Sequence, residues 1–153
     1  MRNQYVAFVL DEQRYALHLP AVDRVVHAVR VTPLINAPEI VLGVVNARGQ
    51  IVPVIQVRRR FHLPEREVAP KDQLIFAHTA RRAVALVVDR VAGIVECGEH
   101  DVIETQRILP GADYVEGVIK LKDDLILLHD LDAFLSLDEV ASLDNALEAN
   151  RGA

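Results

Sequence analysis

The stretch Gly43-Val44-Val45-Asn46-Ala47-Arg48-Gly49-Gln50-Ile51-Val52-Pro53-Val54-Ile55 decides how this chain is read. β-Branched residues crowd both arms, the composition of a pleated strand. Arg48-Gly49 breaks the run at its middle, where glycine supplies a positive φ at little steric cost. The reading is a hairpin: a strand over Ile40–Asn46 bent at Gly43, a turn, and a return strand over Ile51–Val57. A glycine inside a strand marks a bulge or sharp bend. Pro53 lacks an N–H, so it predicts an edge or bulge position for the return strand.

Working outward, the same design recurs. Val115-Glu116-Gly117-Val118-Ile119 echoes Val41-Leu42-Gly43-Val44-Val45, 74 positions on, and Leu125–Leu131 echoes Ile51–Val57. Before the first copy lies an alternating hairpin, Tyr5–Leu10 and Arg14–Leu19, turning at Asp11-Glu12-Gln13. Its echo is Gln73–Thr79 and Ala83–Val88, turning at Ala80-Arg81-Arg82, 69 positions on. Each half reads hairpin, linker, Gly-bent strand, turn, strand. The polar segment Glu65–Lys71, between Pro64 and Pro70, separates them. The expected organisation is one domain over residues 1–153, with interleaved or sequential lobes of roughly 4–64 and 72–135. Pro20–Val29 mixes helical spacing with β-branched residues and predicts a short helical turn running into a strand.

The C-terminus changes period. Ser136-Leu137-Asp138-Glu139 reads as a capping box, and Val140, Leu143 and Leu147 share one helical face. An amphipathic helix over 137–149 is expected, packing across the lobes or docking on a partner. The fold class is therefore mainly β, two small barrels with short helices and a C-terminal helix.

Composition narrows function. Of 153 residues, 51% are hydrophobic and 25% charged, values that suit a packed globular core. A net charge of -5 disfavours a phosphate-backbone partner, and the 5% aromatic content without Trp disfavours a base-stacking platform. The apolar runs are far shorter than the ~20 residues that span a bilayer, and no secretory pattern opens the sequence. A cytoplasmic protein without membrane insertion is expected.

Catalytic chemistry finds little footing. His18, His27, His62, His78, His100 and His129 are scattered, and the single Cys97 builds no thiolate cage, so no metal site is expected. Cys97 reads as a half-buried strand residue. Phosphate loops and nucleophile elbows are missing. Ser136 and Ser142 are the only serines, both in the helix region. Arg58-Arg59-Arg60 reads as a solvated strand end guarding a sheet edge, or as a site for an anionic patch on a partner. No catalytic residue, metal or cofactor is assigned. A small-ligand sensor using the cleft between lobes is the alternative.

Val31–Pro38 together with Gly43–Ile55 resembles the CheW-like family of bacterial chemotaxis adaptors, with Asn46–Pro53 as the most specific element. Tyr114–Val118 with Leu125–Leu131 resembles it too, and the likeness runs from about Gln4 to Phe134. The resemblance implies two SH3-like five-stranded barrels around a common core. It implies a scaffold joining the cytoplasmic tip of a methyl-accepting chemoreceptor to the regulatory domain of a CheA-type histidine kinase. Carried over by residue, the partner-binding surface would include Val22, Arg24, Arg48 and Gly49. The chain departs from the family at Arg24, where many relatives carry Glu, and at Gln56, where an acidic residue is common.

Overall fold

The computed structural model describes residues 2–104, 115–134 and 137–151. The N-terminal hairpin is β1 (Arg2–Leu10) and β2 (Gln13–His18), with Phe8 opposite Tyr15. A single 3-10 turn at Leu19–Ala21, with Pro20 in its first positions, leads into β3 (Val22–His27). Here β-branching overrides the helical spacing of the valines, as tertiary pairing commonly does. The decisive stretch forms β4 (Val41–Ala47) and β5 (Gln50–Gln56), and α1 (Val57–Arg60) follows. The second half gives β6 (Gln73–His78), β7 (Ala83–Val88), β8 (Arg90–Gly98), β9 (Val102–Glu104), β10 (Val115–Leu121) and β11 (Asp124–His129). The last element is α2 (Leu137–Arg151). Ser136 of the expected capping box and Tyr114 of the repeat lie outside the described residues.

The strands form two sheets, ordered β8-β1-β2-β11-β10-β9 and β3-β6-β7-β5-β4. Each draws strands from both halves of the chain. The first hairpin does not pair with the second; β2 runs parallel to β11, and β7 parallel to β5. Five strands hold for one sheet, and β9 gives the other a sixth. Among the described residues no ladder joins the end strands of either sheet, so the two are packed sheets whose margins stay open.

The registers carry the duplication down to single residues. Ala16 sits beside Leu128, and Ala85, 69 positions after Ala16, sits beside Val54, 74 positions before Leu128. Gly43 faces Val54 and Gly117 faces Leu128, each next to a bulge. Val22 faces Ala77 and Val91 faces Phe8, each again beside a register shift. The sequence echoes therefore mark equivalent positions of two interlocked halves.

Pro53 corrects the expectation drawn from it. β5 is an interior strand, lying between β7 and β4. The parallel ladder to β7 begins only at Val54, so Pro53 is laddered on the β4 side alone, opposite Val44. A missing N–H is tolerated there because no β7 rung exists at that position.

Strand alternation builds three cores. Tyr15 and Leu17 of β2, Ile75 and Ala77 of β6, Val84, Leu86 and Val88 of β7, and Ile55 of β5 face the space between the sheets, joined by Phe8, Phe134 and Leu143. The intervening residues Phe76, Leu74, Ala85, Val87, Val52 and Val54 fill the five-stranded sheet's own interior. Tyr5, Ala16, Ile119, Ile126, Leu128 and Cys97 fill the other, where Cys97 is fully buried rather than half-buried. Burial on both faces explains why Ala83–Val88 is a continuous apolar run. Leu143 and Ala146 pack α2 onto its own chain.

Candidate docking surface

Arg48 and Gly49 form the tip of the β4–β5 hairpin, with φ of 53° and 83°. Two consecutive positive φ values match a primed turn, whose twist suits a two-residue hairpin. Asn46 Oδ1 accepts a hydrogen bond from the Gly49 N–H at 3.0 Å and braces the tip. Val22 opens β3, half-buried, with its side chain packed on the shared core. Arg24 follows the bulge at Asp23 and pairs with Phe76 in the ladder. Its guanidinium carbon lies 4.5 Å from the centroid of the Phe76 ring, a cation–π seat.

β3 and β4 occupy opposite margins of the five-stranded sheet. The register nonetheless sets Val22, the His78–Ala83 pair and the Arg48 tip toward the same end of the strands. The bridge between Thr32 and Val44 draws the chain leaving β3 back against β4. Val22 and Arg24 are thus strand neighbours, Arg48 and Gly49 are turn neighbours, and the two pairs share one end. Asp23 is taken up by His78, 2.9 Å from its Nδ1. Phe76, which seats Arg24, was not singled out by sequence; cross-strand pairing was the signal that would have found it.

The arginine run is a correction. Arg58-Arg59-Arg60 forms α1, not a solvated strand end, and each cation has an internal partner. Gln56, itself buried, caps the helix by accepting from the Arg58 N–H at 3.3 Å. Arg58 Nη2 donates to Asp11 Oδ1 at 2.6 Å and to Asp89 at 3.0 Å, and Nη1 donates to the Pro64 carbonyl at 2.9 Å. Burial alone would lower the Arg58 pKa, but Asp11 and Asp89 outweigh it and raise it. Arg66 extends the network to Asp72 at 2.7 and 2.8 Å and to Asp89 at 2.7 Å. Arg59 pairs with Glu65, and Arg60 donates to Glu139 of α2 at 2.6 Å. These arginines bind the sheets, the 61–72 segment and α2 together.

The space between the sheets is filled by side chains such as Phe8, Tyr15, Leu17, Leu86 and Phe134. The middle of the interlobe cleft of the alternative reading is therefore taken by the protein's own core, and a cavity of about 390 Å³ beside His18, His78 and Glu116 remains only at its margin. Among the described residues no group of three or more His, Cys, Asp or Glu is placed to hold a metal ion. No described helix is long and apolar enough to cross a membrane.

A duplicated module of two packed β-sheets, filled between them and carrying Arg24 and Arg48 toward one end, defines the class of protein. Comparison with known proteins narrows the class. The CheW-like domain matches residues 4–139, and the chain belongs to that family. It is 27% identical over 148 residues to a chemotaxis protein CheW of Treponema pallidum, covering 93% of this chain and 87% of that one. It is 28% identical over 139 residues to the chemotaxis protein CheW of Rhizobium meliloti, with 90% of each chain covered. Its fold is similar to the crystal structure of the scaffolding protein TtCheW from Thermoanaerobacter tengcongensis, with a TM-score of 0.83 and 27% identity over 91% of this chain and 96% of that one.

Proposed function

We propose that this chain is a non-catalytic, cytoplasmic scaffold coupling chemoreceptors to a histidine autokinase in a bacterial chemosensory array. The observation that carries the reading is the family match over 4–139, which takes in strands of both sheets, joined to a fold shared with a protein described as scaffolding. The partners in this reading are the cytoplasmic tip of a methyl-accepting chemoreceptor and the regulatory domain of a CheA-type kinase. Val22, Arg24, Arg48 and Gly49 form the receptor-facing surface, and the outer faces of the two sheets serve the kinase. A scaffold needs rigid outer strands and turns, not a cleft. Neither half, 4–64 nor 72–135, holds a complete sheet, so the chain works as one domain whose two faces keep a fixed relation.

The test is capture of the organism's chemoreceptors and histidine kinases by the immobilised chain. Wild type retains both. Arg48→Glu loses receptor while its unfolding free energy changes by less than about 1 kcal/mol, as for an exposed substitution. Unchanged receptor capture by the folded variant would overturn the assignment.

A further inference from the structure

We propose that the Arg24–Arg48 end of the five-stranded sheet selects a carboxylate-bearing protein segment, so that recognition there is made by acidic side chains on the partner. This rests on the reading of that end as the receptor-facing surface.

Three observations on charge support it. First, the chain is acidic overall, at -5, and pairs several of its arginines internally. Arg14, Arg58, Arg59, Arg60, Arg66 and Arg82 are all ion-paired to carboxylates. Arg24 and Arg48, like Arg30, Arg81 and Arg90, have no carboxylate partner among the described residues; what sets Arg24 apart is its seat on the Phe76 ring. Second, Arg24 is not a loose surface cation. It is half-buried and its guanidinium rests on the Phe76 ring. A face so stacked still presents its N–H fork edgewise, the geometry that takes a carboxylate bidentately. The nearest acid on its own strand, Asp23, is engaged with His78.

Third, Arg48 occupies a position that its side chain does not favour. A φ of 53° is readily adopted by Gly, Asn or Asp and rarely by a long side chain. The equivalent hairpin tip in the other half, Lys122-Asp123, is absent from the described positive-φ residues. The Asn46 brace therefore holds a guanidinium out from a stiff turn at some local conformational cost. Arg24, seated on Phe76, loses little rotamer freedom on binding, and Arg48 starts from a braced turn backbone, which favours a partner that brings matching anions. An overall acidic chain repels an acidic partner at a distance, so this end is where such a partner can approach.

The experiment is calorimetric titration of the whole chain with a soluble cytoplasmic fragment of a chemoreceptor from the same organism, at low and at high sodium chloride. Wild type binds, and binding weakens as salt screens the contact. Arg24→Glu and Arg48→Glu each weaken it by about tenfold or more. Arg30→Glu, the same charge change beyond the far end of β3, alters it by less than about twofold. Replacing the fragment's tip carboxylates by lysine restores affinity to the Glu variants. If wild type binds and Arg24→Glu, still folded by its melting temperature, binds equally well at either salt, the charge selection is wrong while the scaffold reading stands. If wild type does not bind the fragment, the scaffold reading itself fails. Tighter binding to phosphatidylserine vesicles than to the fragment would assign the patch to a lipid surface and overturn the proposal.

Discussion

Gly43 and Gly117 stand at equivalent points of the two halves, each under a backbone carbonyl of the segment that crosses it. A Cβ on Gly43 would meet the Thr32 carbonyl oxygen at 2.1 Å, and a Cβ on Gly117 would meet that of Ile103 at 2.8 Å. Thr32 bridges to Val44, and Ile103 ladders with Val118, so the two crossings repeat the same contact. Both glycines border a bulge, the device that bends a strand around a small core. Gly43→Ala is expected to cost about 3 kcal/mol and Gly117→Ala less, about 1–2 kcal/mol, in line with overpacking against rigid backbone. Urea denaturation measures both. Equal losses at the two sites would show that the crossing segments yield alike.

Arg58 is nearly sealed from water, with a side chain 5% exposed, whereas its partners Asp11 and Asp89 remain 54% and 22% exposed. Arg58→Ala removes the donor that joins the β1–β2 turn to α1 and the Pro64 carbonyl. Breaking a buried pair costs about 3–5 kcal/mol, and the lower end applies because both acids keep some water. Asp11→Asn is expected to cost less than Arg58→Ala, since Asp89 still holds the guanidinium. Thermal unfolding of the two variants checks the order.

Asp72 makes the network sensitive to acid. Burial pushes its pKa up, but the Arg66 guanidinium and the Ala69 N–H outweigh burial and hold the carboxyl below its ordinary value. A depressed folded pKa means stability is fully present above the unfolded value near ~4 and is lost as pH falls through the folded pKa. Asp11, held down first by its hydrogen bond from Arg58, adds in the same direction. Denaturant midpoints should stay flat from pH 7 to about 5 and fall below about 4. Asp72→Asn should be less stable at neutral pH and show a shallower acid slope. An unchanged slope would remove Asp72 from the account.

The hairpins, the Gly-bent strands and the C-terminal helix were legible because each is written locally, in period, turn residues and glycine. The offsets of 69 and 74 hold in the ladders, at Ala16 and Ala85 and at Val54 and Leu128. Strand exchange between the sheets was not legible. Alternation says which face a residue takes, not which strand lies beside it, and the β2–β11 and β5–β7 ladders are parallel and distant. The arginine run failed for a related reason: its acids are Asp11, Asp89, Glu65 and Glu139, three of them far off in the sequence. At the docking end, Arg48 on its turn follows from Asn46 and Gly49 alone. The seat of Arg24 does not, because it depends on the bulge at Asp23 that sets Arg24 beside Phe76.

The helix α2 gives the last test, because an amphipathic terminal helix can serve its own core or a partner. Leu143 is fully buried in the core shared by the two sheets, and Leu147 packs at its margin. Arg60–Glu139 and Arg82–Asp144 pin the same helix to α1 and to the β6–β7 turn. These contacts come from both chemical classes, and all lie within the chain. Leu143→Ala is therefore expected to destabilise by about 3 kcal/mol, as for a leucine truncated in a core that cannot collapse, and Leu147→Ala by about 1 kcal/mol. Both are read from urea unfolding of the isolated protein. A Leu143→Ala variant as stable as wild type, but weaker in kinase capture, would reassign the helix from the core to a partner.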